Sequence, residues 1–203
     1  MNPLRPKIVL FDLGGVLFEY NGSLDLAKMR QAPFADFELS RFWLESQWAA
    51  DLATERCSPH DFARGAIGEL ELIATPDEFL ALFSTWLRGY MPRARALLER
   101  VRGRARLACL SNTNEIDAAR FRTEFKIEQL FDECFFSNEM GLRKPDGDVF
   151  AYVLDALGIA PADVLFLDDT PECVEGARRS GIRAEVALGP LDAQRILEPH
   201  FFA

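Results

Sequence analysis

Residues 7–15 read KIVLFDLGG: an apolar run, Ile8–Phe11, then Asp12, Leu13 and the pair Gly14 and Gly15. A run this short and this continuously apolar reads as a strand buried on both faces, and the acid and glycines that end it read as a turn. The pattern recurs downstream. RARLACL (104–110) runs into Ser111, Asn112, Thr113 and Asn114, and VLFL (164–167) runs into Asp168, Asp169, Thr170 and Pro171. Weaker runs lie at 134–136 and 184–188. Helical periods fill the intervals 94–101, 116–125, 148–157 and 171–179, the last with Thr170 at the N-cap and Pro171 at the first helical position. Strands alternating with helices predict an α/β fold, a Rossmann-like parallel sheet with helices on both faces.

Residues 18–90 break this alternation. They read as successive amphipathic helices near 24–30, 37–48, 59–70 and 76–90, punctuated by Phe and Trp. Aromatics in that pattern form the core of a small bundle more readily than a ligand pocket. The chain therefore divides into an α/β core, residues 1–17 with 91–203, and an all-helical cap, residues 18–90, inserted after the first strand.

Composition narrows the class of partner. Apolar residues make up 49% of 203 and charged residues 27%, the proportions of a globular chain able to bury a core without disulfides. The net charge of −9 argues against nucleic acid and anionic lipid as partners, so an anionic substrate needs its own local anion site. Cys57, Cys109, Cys134 and Cys173 have no CxxC spacing and only His60 and His200 to complete a zinc site, so they read as free thiols of a reducing compartment. The run that follows Arg5 and Lys7 is too short for a signal segment, and no stretch has the length of a membrane span. The expected location is the cytoplasm. Oligomeric state is left open, with Phe201 and Phe202 available to cover an apolar surface.

Ligands of an open α/β sheet bind beyond the C-terminal ends of its strands. Four polar clusters fall at that edge: Asp12 with Gly14 and Gly15; Ser111 through Asn114; Lys144, just after Gly141; and Asp168 with Asp169. Any one alone has a plain structural explanation as a turn, a helix cap or a solvated loop. The set, in this order, does not. FDLGGVL (11–17), LSNTN (110–114), GLRKPD (141–146) and FLDDTPECVEGARRSGI (166–182) resemble the motifs of the haloacid dehalogenase-like hydrolase superfamily, and the start of the chain with its short cap is similar to the branch containing bacterial glucose-1-phosphate phosphatases.

The resemblance implies a phosphatase for a small phosphorylated metabolite, such as a sugar phosphate, working through an aspartyl-phosphate. Asp12 would be the nucleophile. Mg2+ would be held by Asp12, Asp168, Asp169 and the backbone carbonyl of Gly14. Lys144 would neutralise Asp12 and the phosphoryl oxygens, which Ser111 and the backbone N–H of Asn112 would also bind.

Two positions depart from the family pattern. Gly14 stands where most of these phosphatases carry a second Asp as general acid and base, and Cys173 stands where relatives often carry Asn. Glu19, Asp25 and His60 are candidates for a substitute acid. The alternatives are a haloacid-type dehalogenase, disfavoured by Gly14 and the Asp168–Asp169 pair, and a catalytically weak binding or regulatory relative. A response-regulator receiver domain fails on motif order. Arg30, Arg41, Arg56 and Arg64 could contact a substrate anion, and Gly65, Gly68 and Gly89 could serve as hinges, although solvated helix faces explain the arginines more simply.

Overall fold

The computed structural model describes residues 5–202. In chain order the elements begin with β1 (Ile8–Phe11) and β2 (Phe18–Tyr20), then α1 (Ser23–Arg30), α2 (Asp36–Glu45), α3 (Gln47–Ala53), α4 (Pro59–Glu69) and α5 (Pro76–Phe83). Next come β3 (Leu87–Tyr90), α6 (Ala94–Val101), β4 (Arg106–Ser111), α7 (Glu115–Thr123), β5 (Glu133–Phe136) and the single turn α8 (Ser137–Met140). The chain closes with α9 (Gly147–Leu157), β6 (Val164–Asp168), α10 (Pro171–Arg179), β7 (Arg183–Val186) and α11 (Pro190–Phe201).

Five strands form one parallel sheet in the order β5-β4-β1-β6-β7. Side chains alternate across it, as a strand requires. Val9, Phe11, Leu107, Cys109, Leu165 and Leu167 face a core closed by α6, α7 and α11. Ile8, Leu10, Ala108, Leu110, Val164 and Phe166 face a second core closed by α9 and α10. Both faces are covered, which is why each strand reads as an unbroken apolar run. Winding proceeds outward from β1 in both directions, so the topological switch point lies between β1 and β6.

The helices between β2 and β3 have their own apolar cluster, with Phe42, Phe62, Phe79, Phe83 and Trp86 buried in it. Most of the aromatics are thus bundle core, while Phe37 and Trp48 are exposed. Two helix readings need correction. The helix expected over 37–48 breaks at Ser46, whose backbone turns extended and whose hydroxyl accepts from Ala49 N to start α3. The helix expected over 76–90 stops at Phe83. Ser84 and Thr85 hydroxyls donate back to the carbonyls of Ala81 and Leu82, and Leu87–Tyr90 becomes a strand antiparallel to β2. Phe18 and Tyr90 then stack with centroids 4.2 Å apart. Gly65 is a packing glycine rather than a hinge, because a Cβ there would overlap the Trp48 ring. Phe201 and Phe202 pack against the α6 and α11 side of the core, and Arg100 stacks over Phe202. All four cysteines are free thiols. Among the described residues no helix is long and apolar enough to cross a membrane.

Candidate active site

The switch point brings the four sequence clusters together, three of them through their charged side chains. Asp12 follows β1, Asp168 ends β6, and Lys144 reaches between them from the loop before α9. Lys144 Nζ donates to Asp12 Oδ1 at 2.6 Å, to Asp168 Oδ2 at 2.7 Å and to the Leu110 carbonyl at 2.9 Å. The three side chains are 3%, 9% and 1% exposed, so this is a buried ion triad, costly to disrupt by removing one member. Asp169 stands beside it. Ligand oxygens of Asp12, Asp168 and Asp169 all lie within 4.8 Å of one another.

The charges are unbalanced. Burial, together with Asp168 and Asp169, pushes the Asp12 carboxyl up to about 8 against the pull of Lys144. Burial and Asp168 likewise raise Asp169. Burial opposes the charge on Lys144, yet Asp12 and Asp168 outweigh it and hold the ammonium well above its usual range. One cation facing three clustered carboxyls leaves a deficit that a hard, oxygen-loving divalent ion fits. Backbone geometry keeps that space open. Gly15 has φ +73°, and a Cβ there would overlap the Asp169 carboxylate. Gly14, in contrast, has room: a Cβ would meet only Tyr20 Cβ, at 4.0 Å.

Ser111 ends β4, buried, and Asn112 follows it at the surface. Sequence reasoning assigned only the backbone of Asn112, but its side chain has a separate task. Asn112 Nδ2 donates to Lys144 O at 2.8 Å, and Lys144 N donates to Asn112 Oδ1 at 2.9 Å, which fixes the lysine loop against β4. Asn114 is the helix cap of the motif, accepting from Ile116 N and Asp117 N. Thr170 occupies its N-cap position without capping by its side chain. Its N–H donates to Asp168 Oδ1 at 2.8 Å and its hydroxyl to Asp169 Oδ1 at 3.2 Å, so both groups orient the acids instead. Cys173 lies buried on α10, with its thiol held up by burial, as a small apolar residue would lie.

Above the triad a cavity of about 570 Å³ opens between the sheet edge and α2 and α3. Asp12, Gly14, Ser111, Asn112, Lys144, Asp168 and Asp169 all line it. Glu19, Asp25 and His60 do not. Glu19 is exposed, Asp25 pairs with Lys28 and Arg88, and His60 pairs with Asp77. Of the four arginines only Arg41 lines the cavity. Beyond the three clustered carboxyls, Glu45, Glu172 and Asp117 line it, and of these Asp117, which the sequence did not single out, is buried. Asp117 Oδ2 accepts from Asn114 Nδ2 at 3.0 Å, Oδ1 has no partner, and burial raises the carboxyl to about 6. The signal available was an acid at the third position of a helix that starts at a phosphate-type loop, a position usually explained by the helix dipole.

A profile of haloacid dehalogenase-like hydrolases matches residues 6–181. The phosphatase MT3486 of Mycobacterium tuberculosis is 31% identical over 185 residues, covering 87% of this chain and 84% of that protein. The sesquiterpene phosphatase astK of Aspergillus oryzae is 27% identical and covers 87% of each chain. The structure of the enzyme bt-2542 from Bacteroides thetaiotaomicron, in complex with magnesium and inorganic phosphate, superposes with a TM-score of 0.70 at 24% identity, covering 89% of this chain and 93% of that one.

Proposed function

Because the chain belongs to the haloacid dehalogenase-like hydrolase family, we propose that it is a magnesium-dependent phosphatase that transfers the phosphoryl group of a small monoester to Asp12 and then to water. The observation that carries this reading is the buried Asp12–Lys144–Asp168 triad at the switch point, with Asp169 close enough to complete a ligand set. Phosphatases among the relatives, and magnesium with phosphate in a structural neighbour, point the same way.

Asp12, Asp168, Asp169 and the Gly14 carbonyl would hold the ion, which when bound supplies positive charge to the nucleophile and the phosphoryl oxygens. Asp12 offers its carboxylate to phosphorus, the strategy that divides a difficult hydrolysis into two easier steps. Lys144, fixed at its backbone by Asn112 and at its ammonium by two carboxylates, presents a point charge that does not reorganise during reaction. Ser111 and the Asn112 N–H bind the same oxygens. Thr170 keeps Asp168 and Asp169 oriented toward the ion. Residues 18–90 act as the cap that limits water over the site. Gly14 brings no carboxylic acid to the leaving oxygen, so leaving groups that depart readily are favoured, as aryl and acyl oxygens do.

The test is phosphate release from aryl, acyl and sugar phosphates with and without Mg2+, in the parent protein and in Asp12→Asn. Release that requires Mg2+ and is lost in the variant supports the reading. A folded protein that releases none from any of them, or an Asp12→Asn variant with full turnover, refutes it.

A further inference from the structure

We propose that the leaving-group end of the cavity is built for an apolar body, so that the substrate is the monophosphate of a hydrophobic organic group and not of a polyol. The inference rests on the phosphatase reading of the polar end. The two ends of the cavity differ in kind. One is the charged cluster around Asp12. The other is walled by Leu39, Trp43 and Leu44 of α2, Leu52 of α3, Leu87 of β3 and Phe121 of α7.

A sugar brings several hydroxyls into such a wall, and each must exchange water for a new partner. The polar side chains packed into the wall, Arg143 and Asn114, are already engaged. Arg143 donates to the Leu44 carbonyl at 2.8 Å and Asn114 is committed to the start of α7, while Arg41 and Glu45 stand largely in solvent. Two buried polar atoms of the wall have no partner, the donor Trp43 Nε1 and the acceptor Asp117 Oδ1. Both atoms are buried away from solvent, so neither serves a ring of hydroxyls.

Size and exposure agree with this. A cavity of about 570 Å³ is of the order that encloses a whole ligand rather than a phosphate with a short stub. Phe37 also lines it, and the residue is 69% exposed. A large apolar side chain left in water at the rim of a binding cavity is the part a hydrophobic ligand would cover. Gly14 adds a chemical preference, since an aryl or acyl oxygen departs from phosphorus without a strong acid at its side.

The experiment is calorimetric titration of the Mg2+-loaded protein with non-hydrolysable straight-chain alkylphosphonates from methyl upward, beside a sugar-sized polyol phosphonate. Affinity is expected to rise roughly fourfold for each methylene buried until the cavity is filled. The polyol phosphonate should bind no tighter than methylphosphonate. Phe37→Asp alters an exposed residue outside the charged cluster, and should weaken the longest alkylphosphonate about tenfold while leaving methylphosphonate unchanged. An affinity flat with chain length, or a polyol phosphonate tighter than an alkylphosphonate of its size, overturns the inference. If inorganic phosphate still binds and Mg2+-dependent turnover persists in that case, the phosphatase reading stands and this inference alone falls. If no phosphonate and no phosphate binds, both fall.

Discussion

On the proposed mechanism, in which Gly14 supplies no acid to the leaving oxygen, replacing Gly14 by Asp should extend turnover to alkyl monoesters. The structure allows the change. A Cβ at Gly14 meets only Tyr20 Cβ, at 4.0 Å, an ordinary contact, and Gly14 does not share the positive φ of Gly15. Its backbone carbonyl, the proposed ion ligand, is untouched. The new carboxyl would stand at the cavity that Gly14 lines, where it can present a proton to a leaving oxygen. A positioned general acid contributes ~10²–10⁴-fold. The full factor should appear in kcat for an alkyl phosphate, whose leaving oxygen needs the proton, and only a few-fold change, roughly, for an aryl phosphate, whose oxygen does not. The assay is kcat for the two esters at saturating Mg2+ in Gly14→Asp and the parent, with thermal melts to confirm folding. An equal change on both esters, or no gain on the alkyl ester while alkylphosphonate binding is retained, would refute the reasoning.

Three further outcomes follow from the same geometry. Lys144→Met strands Asp12 and Asp168 without their cation, which costs about 3–5 kcal/mol and lowers the metal-free melting temperature by roughly 10 °C, with partial recovery on adding Mg2+; an unchanged melting temperature would contradict the buried triad. Gly15→Ala forces a Cβ into the Asp169 carboxylate at a residue with φ +73°, so calorimetry should show Mg2+ affinity reduced about tenfold or more, and an unaltered affinity counts against Asp169 as a ligand. Asp117 has its carboxyl raised by burial from 3.8 to about 6, so the folded protein keeps this proton to higher pH than the unfolded chain does. The group therefore favours folding below about pH 4 and loses that contribution as pH rises through about 6, a change of roughly 3 kcal/mol. Asp117→Asn removes this dependence, so denaturant titrations should show the variant gaining on the parent by up to about 3 kcal/mol between acid and neutral pH, whereas a difference independent of pH would show that Asp117 is not buried as described.

The α/β part of the fold was legible because both faces of the sheet are buried. Ile8 and Leu10 serve one core and Val9 and Phe11 the other, so the strand appears as a plain apolar run ended by polar residues. The helices at 94–101 and 171–179 were equally clear from their periods, the second also from Pro171 at its first position. The segment 84–90 was not, because Leu87, Arg88 and Gly89 continue the count of the preceding helix. Only the Ser84 and Thr85 hydroxyls and the pairing with β2, a contact distant in sequence, make it a strand. At the site, Asp12 and Asp168 could be named because they sit at strand ends and Lys144 because it lies in a recognisable motif, and the structure sets Lys144 against both acids. The side-chain duties of Asn112 and Thr170, and the place of Asp117 in the cavity wall, depend on where α7 and the lysine loop come to rest, which no local pattern records.

In the proposed mechanism Asp12 carries the phosphoryl group during turnover. The direct measurement is the mass of the intact protein and of its Asp12 peptide, acid-quenched within the first turnover of an aryl phosphate in the presence of Mg2+. One added phosphoryl group is expected on Asp12, absent without Mg2+ and absent in Asp12→Asn. Sustained Mg2+-dependent turnover by Asp12→Asn, or a phosphoryl group trapped on another residue, would contradict it.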